Sequence, residues 1–184
     1  MNKLSEEWRN YFEEYNGFLY NKLEQFVRDV KQKTNNLSEK YRYFLAGNGA
    51  SAAISSHIAN DFSKTLGLRA STFHDPSVIT CLANDYGYNN WLKEAVKIHC
   101  QKNDILILIS SSGHSENILR AAKTAKKKGL VLISLTGPKP NENIFNLSDV
   151  NLKVESSTYN IIECCHMIAL CGLIDSLKKI KLAD

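Results

Sequence analysis

Residues 105–109 form an unbroken Ile-Leu-Ile-Leu-Ile run, and the chain passes from it straight into Ser110, Ser111, Ser112, Gly113, His114 and Ser115. Five β-prone apolar residues are too few for a buried helix and suit a strand covered on both faces. A helical pattern follows over 115–128 and stops at Gly129. The serines therefore sit where a buried strand turns into a helix. Three adjacent hydroxyls, a fourth one turn later and the free N–H groups of a helix start make a cradle for a phosphate. The competing reading is an ordinary capped turn, for which serine is a common N-cap. No Lys or Arg lies in the loop. It suits a small phosphorylated metabolite better than a nucleoside triphosphate.

The alternation continues along the chain. Residues 41–46 read as a strand, Gly47-Asn48-Gly49-Ala50-Ser51 as a turn and 51–65 as a helix. A short strand over 70–73 and helices over 76–84 and 89–99 follow. Strands over 104–109, 130–135 and 150–154, a turn over 136–140 and a closing helix over 158–179 complete the pattern. Strands and helices at these intervals predict an α/β fold, a three-layer αβα sandwich with a parallel sheet and right-handed crossovers. Ligands in such folds bind at the carboxyl ends of the strands. The 47–51 turn, the serine loop and Thr136-Gly137 are thus predicted to converge on one side. Gly-Asn-Gly-Ala-Ser lacks the third glycine of a dinucleotide fingerprint, which argues against NAD.

Residues 3–33 form an amphipathic helical pattern carrying Leu4, Trp8, Tyr11, Phe12, Tyr15, Phe18 and Leu19, with a break expected near Asn16-Gly17. This aromatic face either docks on another subunit or packs on its own domain. The division expected is a helical oligomerisation region over 1–40 and one compact domain over 41–180.

At 184 residues and a net charge of +4 the chain is one domain with dispersed basic residues. The dense run from Lys123 to Lys128 reads as a solvated helix face, so no nucleic-acid partner is expected. No membrane span and no signal peptide are read from the sequence, and a cytoplasmic location is expected. The cysteines, Cys81, Cys100, Cys164, Cys165 and Cys171, are odd in number with no Cys-x-x-Cys. They are expected to be reduced and mostly buried.

The two loops Ala46-Gly47-Asn48-Gly49-Ala50-Ser51 and Ile109 to Asn117 together resemble the sugar isomerase (SIS) domain. With Asn84-Asp85-Tyr86-Gly87-Tyr88 between them, the chain is most similar to the phosphoheptose isomerases, which act on sedoheptulose 7-phosphate in bacterial heptose synthesis. The resemblance runs from about residue 43 to 177. It implies a sugar phosphate held by Ser110, Ser111, Ser112 and Ser115, with Asn48, Gly49, Ser51 and Asp85 also at the substrate. It implies a homotetramer with sites at subunit boundaries, and one zinc ion per site. The zinc ligands it implies fall on His57, Asp61, Glu163 and Cys171. The acid–base pair falls on Asp61 and Cys171, with Glu163 and His166 as further candidates. Three of these depart from the family's residues: Asp61 stands for Glu, Glu163 for Gln and Cys171 for His. All three replacements remain able to bind zinc.

Plainer readings stay open. His57 and Asp61 also suit a simple i,i+4 pair on a helix face. Cys171 suits a buried inert thiol, and His166 a core histidine, a partner of Glu163 or a substitute acid–base group. The implied function is a ketose–aldose isomerase serving lipopolysaccharide or capsule synthesis. The alternatives are an isomerase for a variant sugar phosphate, or a non-catalytic family member that associates with a replication initiator.

Overall fold

A computed structural model describes residues 3–138 and 144–181. Helix α1 spans Lys3–Lys33, and then β1 (Arg42–Gly47), α2 (Ala50–Leu66), β2 (Arg69–Thr72), α3 (Pro76–Tyr86) and α4 (Trp91–His99) follow. The second half runs β3 (Ile105–Ser110), α5 (Glu116–Lys128), β4 (Val131–Thr136), β5 (Val150–Lys153) and α6 (Tyr159–Lys181). The five strands form one parallel sheet in the order β2-β1-β3-β4-β5.

Side-chain alternation builds the layers. Leu45, Ile107 and Ile133 point to a core shared with Phe26 and Val30 of α1, Ile58 and Phe62 of α2, and Leu170 and Leu173 of α6. Their neighbours Phe44, Leu106, Leu108 and Leu132 point to the opposite core, with Trp91 and Leu92 of α4 and Ile118 and Ala122 of α5. Both faces are covered, as an αβα sandwich requires.

Several expectations change. Asn16-Gly17 does not break α1, which is continuous; one interior glycine costs only about 1 kcal/mol. Tyr11, Tyr15 and Phe18 pack on Val154, Ile161, Ile162 and Cys165 near the start of α6. The described part of the aromatic face thus lies largely on its own domain, while Phe12 stays exposed. The side chains of Leu4, Trp8 and Leu19, and turn residues Lys139 and Pro140, lie outside the described residues. A 3-10 turn at Ile144–Leu147 was not foreseen.

Contrary to the sequence reading, one helix, Tyr159–Lys178, is long and apolar enough to cross a membrane, and half of it is buried inside the fold. Its Leu170, Leu173 and Ile174 lie in the main core. The cysteines also divide differently. All are free, but Cys81 and Cys164 are exposed, Cys171 is intermediate, and Cys100 and Cys165 are buried. Burial lifts the last two thiols to about 12.

Candidate active site

From β1 the chain moves outward to β2, then returns past β1 to β3 and runs the other way. The connections after β1 and β3 therefore leave in opposite directions, which opens a crevice at their carboxyl ends. Both loops singled out in the sequence border that crevice. Gly47 ends β1 where no side chain fits. A Cβ there would lie 2.5 Å from Ser51 Cβ and 2.8 Å from the Ile109 carbonyl oxygen.

The next residue, Asn48, is bound across the crevice to Asn117. Asn48 Nδ2 donates to Asn117 Oδ1 at 3.0 Å, and Asn117 Nδ2 donates back to Asn48 Oδ1 at 2.9 Å. Asn117 lies in the first turn of α5 and is 2% exposed. This reciprocal amide pair fixes the start of α2 against the start of α5. Tyr88 Oη adds a donor to Asn48 Oδ1 at 3.4 Å. The Gly47 N–H donates to His74 Nε2 at 3.4 Å, and burial holds the His74 pKa below its usual value.

The serine loop turns through Gly113 at φ 70°, a left-handed conformation that glycine adopts at least cost. Ser110 Oγ accepts the Gly113 N–H and Ser112 Oγ accepts the His114 N–H, both at 3.2 Å. Each of these hydroxyls keeps its own proton for donation. Ser115 is the N-cap of α5, yet its side chain makes no capping bond. Ser111 Oγ is buried with no hydrogen-bond partner. A buried hydroxyl left unpaired costs about 1–3 kcal/mol, so this loop is built to be completed by something else.

Asn48, Ser51, Ser110, Ser111, Ser112, Ser115, Tyr159 and Glu163 line one pocket of about 180 Å³. Ser110, Ser111, Ser112 and Ser115 come from the tip of β3, Ser51 comes from the start of α2 after β1, and Tyr159 and Glu163 come from the first turns of α6, four residues apart and hence on one face. Glu163 is the only charged residue of the lining. Hydroxyls and helix-start N–H groups are therefore the donors offered to an anion.

Other candidates lie elsewhere. Asp61 is ten residues beyond Ser51 on α2, about 15 Å along the axis. It is paired to His57, with His57 Nε2 3.3 Å from Asp61 Oδ2. Cys171 is two turns beyond Glu163 on α6, and burial together with the charges of Asp61 and Asp175 raises its pKa. His166 faces the core at 0% exposure. Its Nε2 donates to the Thr136 carbonyl at 3.2 Å, and burial drops its pKa to about 4. The expectation of His166 as an acid–base group gives way to the core-histidine reading, because the imidazole lines no part of the pocket. Asp85 is exposed at the end of α3, accepting from Asn84 Nδ2 at 3.0 Å, and is not in the lining either.

Zinc does not fit this donor arrangement within one chain. Among the described residues no three His, Cys, Asp or Glu side chains stand close enough to hold a metal. His57 and Asp61 engage each other, Glu163 belongs to the serine pocket, and Cys171 is near enough to Asp61 to feel its charge.

The SIS domain family model matches residues 22–137. The chain is 32% identical over 157 residues to a phosphoheptose isomerase of Fusobacterium nucleatum, an alignment covering 82% of this chain and 80% of that one. The chain belongs to the phosphoheptose isomerase branch of the SIS domain family. Its fold is similar to that of the phosphoheptose isomerase of Neisseria gonorrhoeae, with a TM-score of 0.84 at 23% identity, covering 95% of this chain and 97% of that one. The phosphoheptose isomerase of Francisella tularensis gives a TM-score of 0.78 at 26% identity, covering 97% and 100%.

Three residues of this phosphoheptose isomerase relative that line the pocket or bond to its lining were not assigned from its sequence, Tyr159 in the lining and Asn117 and Tyr88 bonded to Asn48. Asn117 carried a signal: it is a polar residue on the apolar stripe with Ile118, Ala121 and Ala122, where an amide needs a partner. Tyr159 carried a weaker one, as the i−4 neighbour of Glu163. Nothing local pointed to Tyr88, whose partner is forty residues away.

Proposed function

We propose that this chain is a ketose–aldose isomerase acting on a phosphorylated sugar. The substrate proposed is sedoheptulose 7-phosphate, converted to the D-glycero-D-manno-heptose 7-phosphate aldose for bacterial lipopolysaccharide or capsule synthesis. One observation carries the reading: a strand-tip loop with an unpartnered buried Ser111 hydroxyl shares its pocket with a single carboxylate, Glu163. The serines and the α5 start hold the phosphate. Glu163 takes the proton from C1 of the ketose, leaving an enediolate, and returns it to C2. Oxygen O2 gains a proton as O1 loses one, and Tyr159 on the same wall is the hydroxyl proposed to serve them.

The pocket is smaller than the about 300 Å³ at which sites for whole small molecules begin. This supports a second copy completing the mouth. A homotetramer is the assembly proposed, and the cytoplasm its location.

The test is product formation from sedoheptulose 7-phosphate with and without added zinc. Aldose should form, and Glu163→Gln should lower kcat by about 10²–10⁴-fold while KM stays close to that of the parent. No aldose at any metal loading would refute the proposal. The dispersed zinc donors favour one competitor, a non-catalytic sugar-phosphate-binding member that associates with a replication initiator. That competitor predicts that Asp61→Ala and Glu163→Ala leave its partner binding untouched.

A further inference from the structure

The opposite end of the sheet carries a second polar cleft of about 350 Å³, at the amino ends of β1, β2 and β3. Its charged lining is Lys40, Arg42, Arg69, Lys102 and Asp104. Arg42 and Arg69 are register partners, opposite each other at the first paired position of β1 and β2. Like charges placed so are unfavourable unless countered.

Only Arg42 has its counter-charge in the lining. Its Nε and Nη2 donate to Asp104 Oδ1 and Oδ2 at 3.2 and 2.5 Å. Asp104 also accepts the Gln101 N–H at 2.7 Å and is 6% exposed. That carboxylate is fully engaged. Arg69 is held differently: Nη2 donates to the carbonyl oxygens of Glu39 and Lys40 at 3.3 and 2.8 Å. Carbonyls orient a guanidinium without neutralising it. Lys40 and Lys102 stand on the same rim. Asp104 is the only carboxylate lining the cleft, so its lining is left with three positive charges in excess.

We propose that this cleft is a second anion site, which binds a small polyanion carrying at least two phosphoryl or carboxylate groups between Lys40, Arg69 and Lys102. It is independent of the serine pocket and works by the opposite principle. The serine pocket offers hydroxyls and no cation; this cleft offers charge on pre-oriented side chains. Its occupancy should therefore fall with ionic strength, because exposed charges are screened within about 10 Å at 0.1 M salt.

The experiment is calorimetric and thermal-shift titration of the full chain with inorganic pyrophosphate and, separately, citrate, at low and high sodium chloride. The comparison is with Lys40→Ala/Lys102→Ala, whose exposed side chains can be removed without opening the core, and with Lys40→Arg/Lys102→Arg. Binding at low salt should weaken at least tenfold in the alanine pair, return in the arginine pair and remain in Ser111→Ala. Tighter pyrophosphate would assign a phosphoryl ligand, and tighter citrate a polycarboxylate. The proposal is overturned if neither anion binds the parent chain, or if the alanine pair binds both as tightly as the parent.

Discussion

Two strand-to-helix turns border the crevice, and their polar groups are used differently. After β1 the turn is satisfied from within. Gly47 gives its N–H to His74, and Asn48 exchanges two hydrogen bonds with Asn117. After β3 the turn is left open. Ser111 Oγ has no partner and Ser115 does not cap its own helix. A strand-to-helix turn thus serves as scaffold in one place and as ligand surface in the other. The difference lies in which donors the protein spends on itself.

The contrast predicts opposite responses to substitution. The largest effect belongs to the scaffold turn. Gly47→Ala places a methyl 2.5 Å from Ser51 Cβ and 2.7 Å from the Ser51 carbonyl carbon, neither of which can yield without moving α2. A loss of about 3 kcal/mol or more is expected, read from the urea midpoint; wild-type stability would show that the turn has slack.

Beneath the open turn, His166 donates to the carbonyl of Thr136, the residue in register with Ser110. Its folded pKa of about 4 lies below the ordinary 6.5. As pH falls past about 6.5 the unfolded chain takes up a proton that the folded chain refuses until about pH 4. The contribution is complete above 6.5 and is lost on the way down to 4, a change of about 3 kcal/mol. His166→Phe should flatten that part of the stability–pH curve. An unchanged slope would place the titration elsewhere.

Asn117→Ala comes next. It leaves the Asn48 amide without its partner and should cost about 2 kcal/mol, together with substrate affinity. If denaturation shows no loss, the amide pair does not hold the two turns together. The open turn should respond in the opposite direction. Ser111→Ala removes a buried hydroxyl that bonds nothing in the protein, so stability should rise, by up to about 1–3 kcal/mol. Sugar-phosphate affinity should fall about tenfold, the loss of one good hydrogen bond to an anion. A destabilised variant with unchanged KM would reverse the contrast between the turns.

Much of this was legible in the sequence, for physical reasons. Unbroken apolar runs such as 105–109 mark strands covered on both faces, and Gly129 ends α5 in a left-handed cap. The serine loop was legible because consecutive hydroxyls at a strand tip are a local signal. Partnerships made by tertiary folding were not. His57 and Glu163 sit on different helices, and spacing within each helix does not say whether the two faces meet. The inward turn of His166 depends on its packing against β4. The apolar length of α6 reflects burial on two sides, at the main core and under α1.

The central claim is that the hydroxyls between Ser110 and Ser115 hold the phosphate of the sugar. Its most direct test is the backbone amide NMR spectrum titrated with sedoheptulose 7-phosphate and, in parallel, with unphosphorylated sedoheptulose. The phosphorylated sugar should shift the amides of residues 110–117 at concentrations where the free sugar leaves them in place. Equal shifts from both sugars, or shifts that spare this loop, would contradict the account.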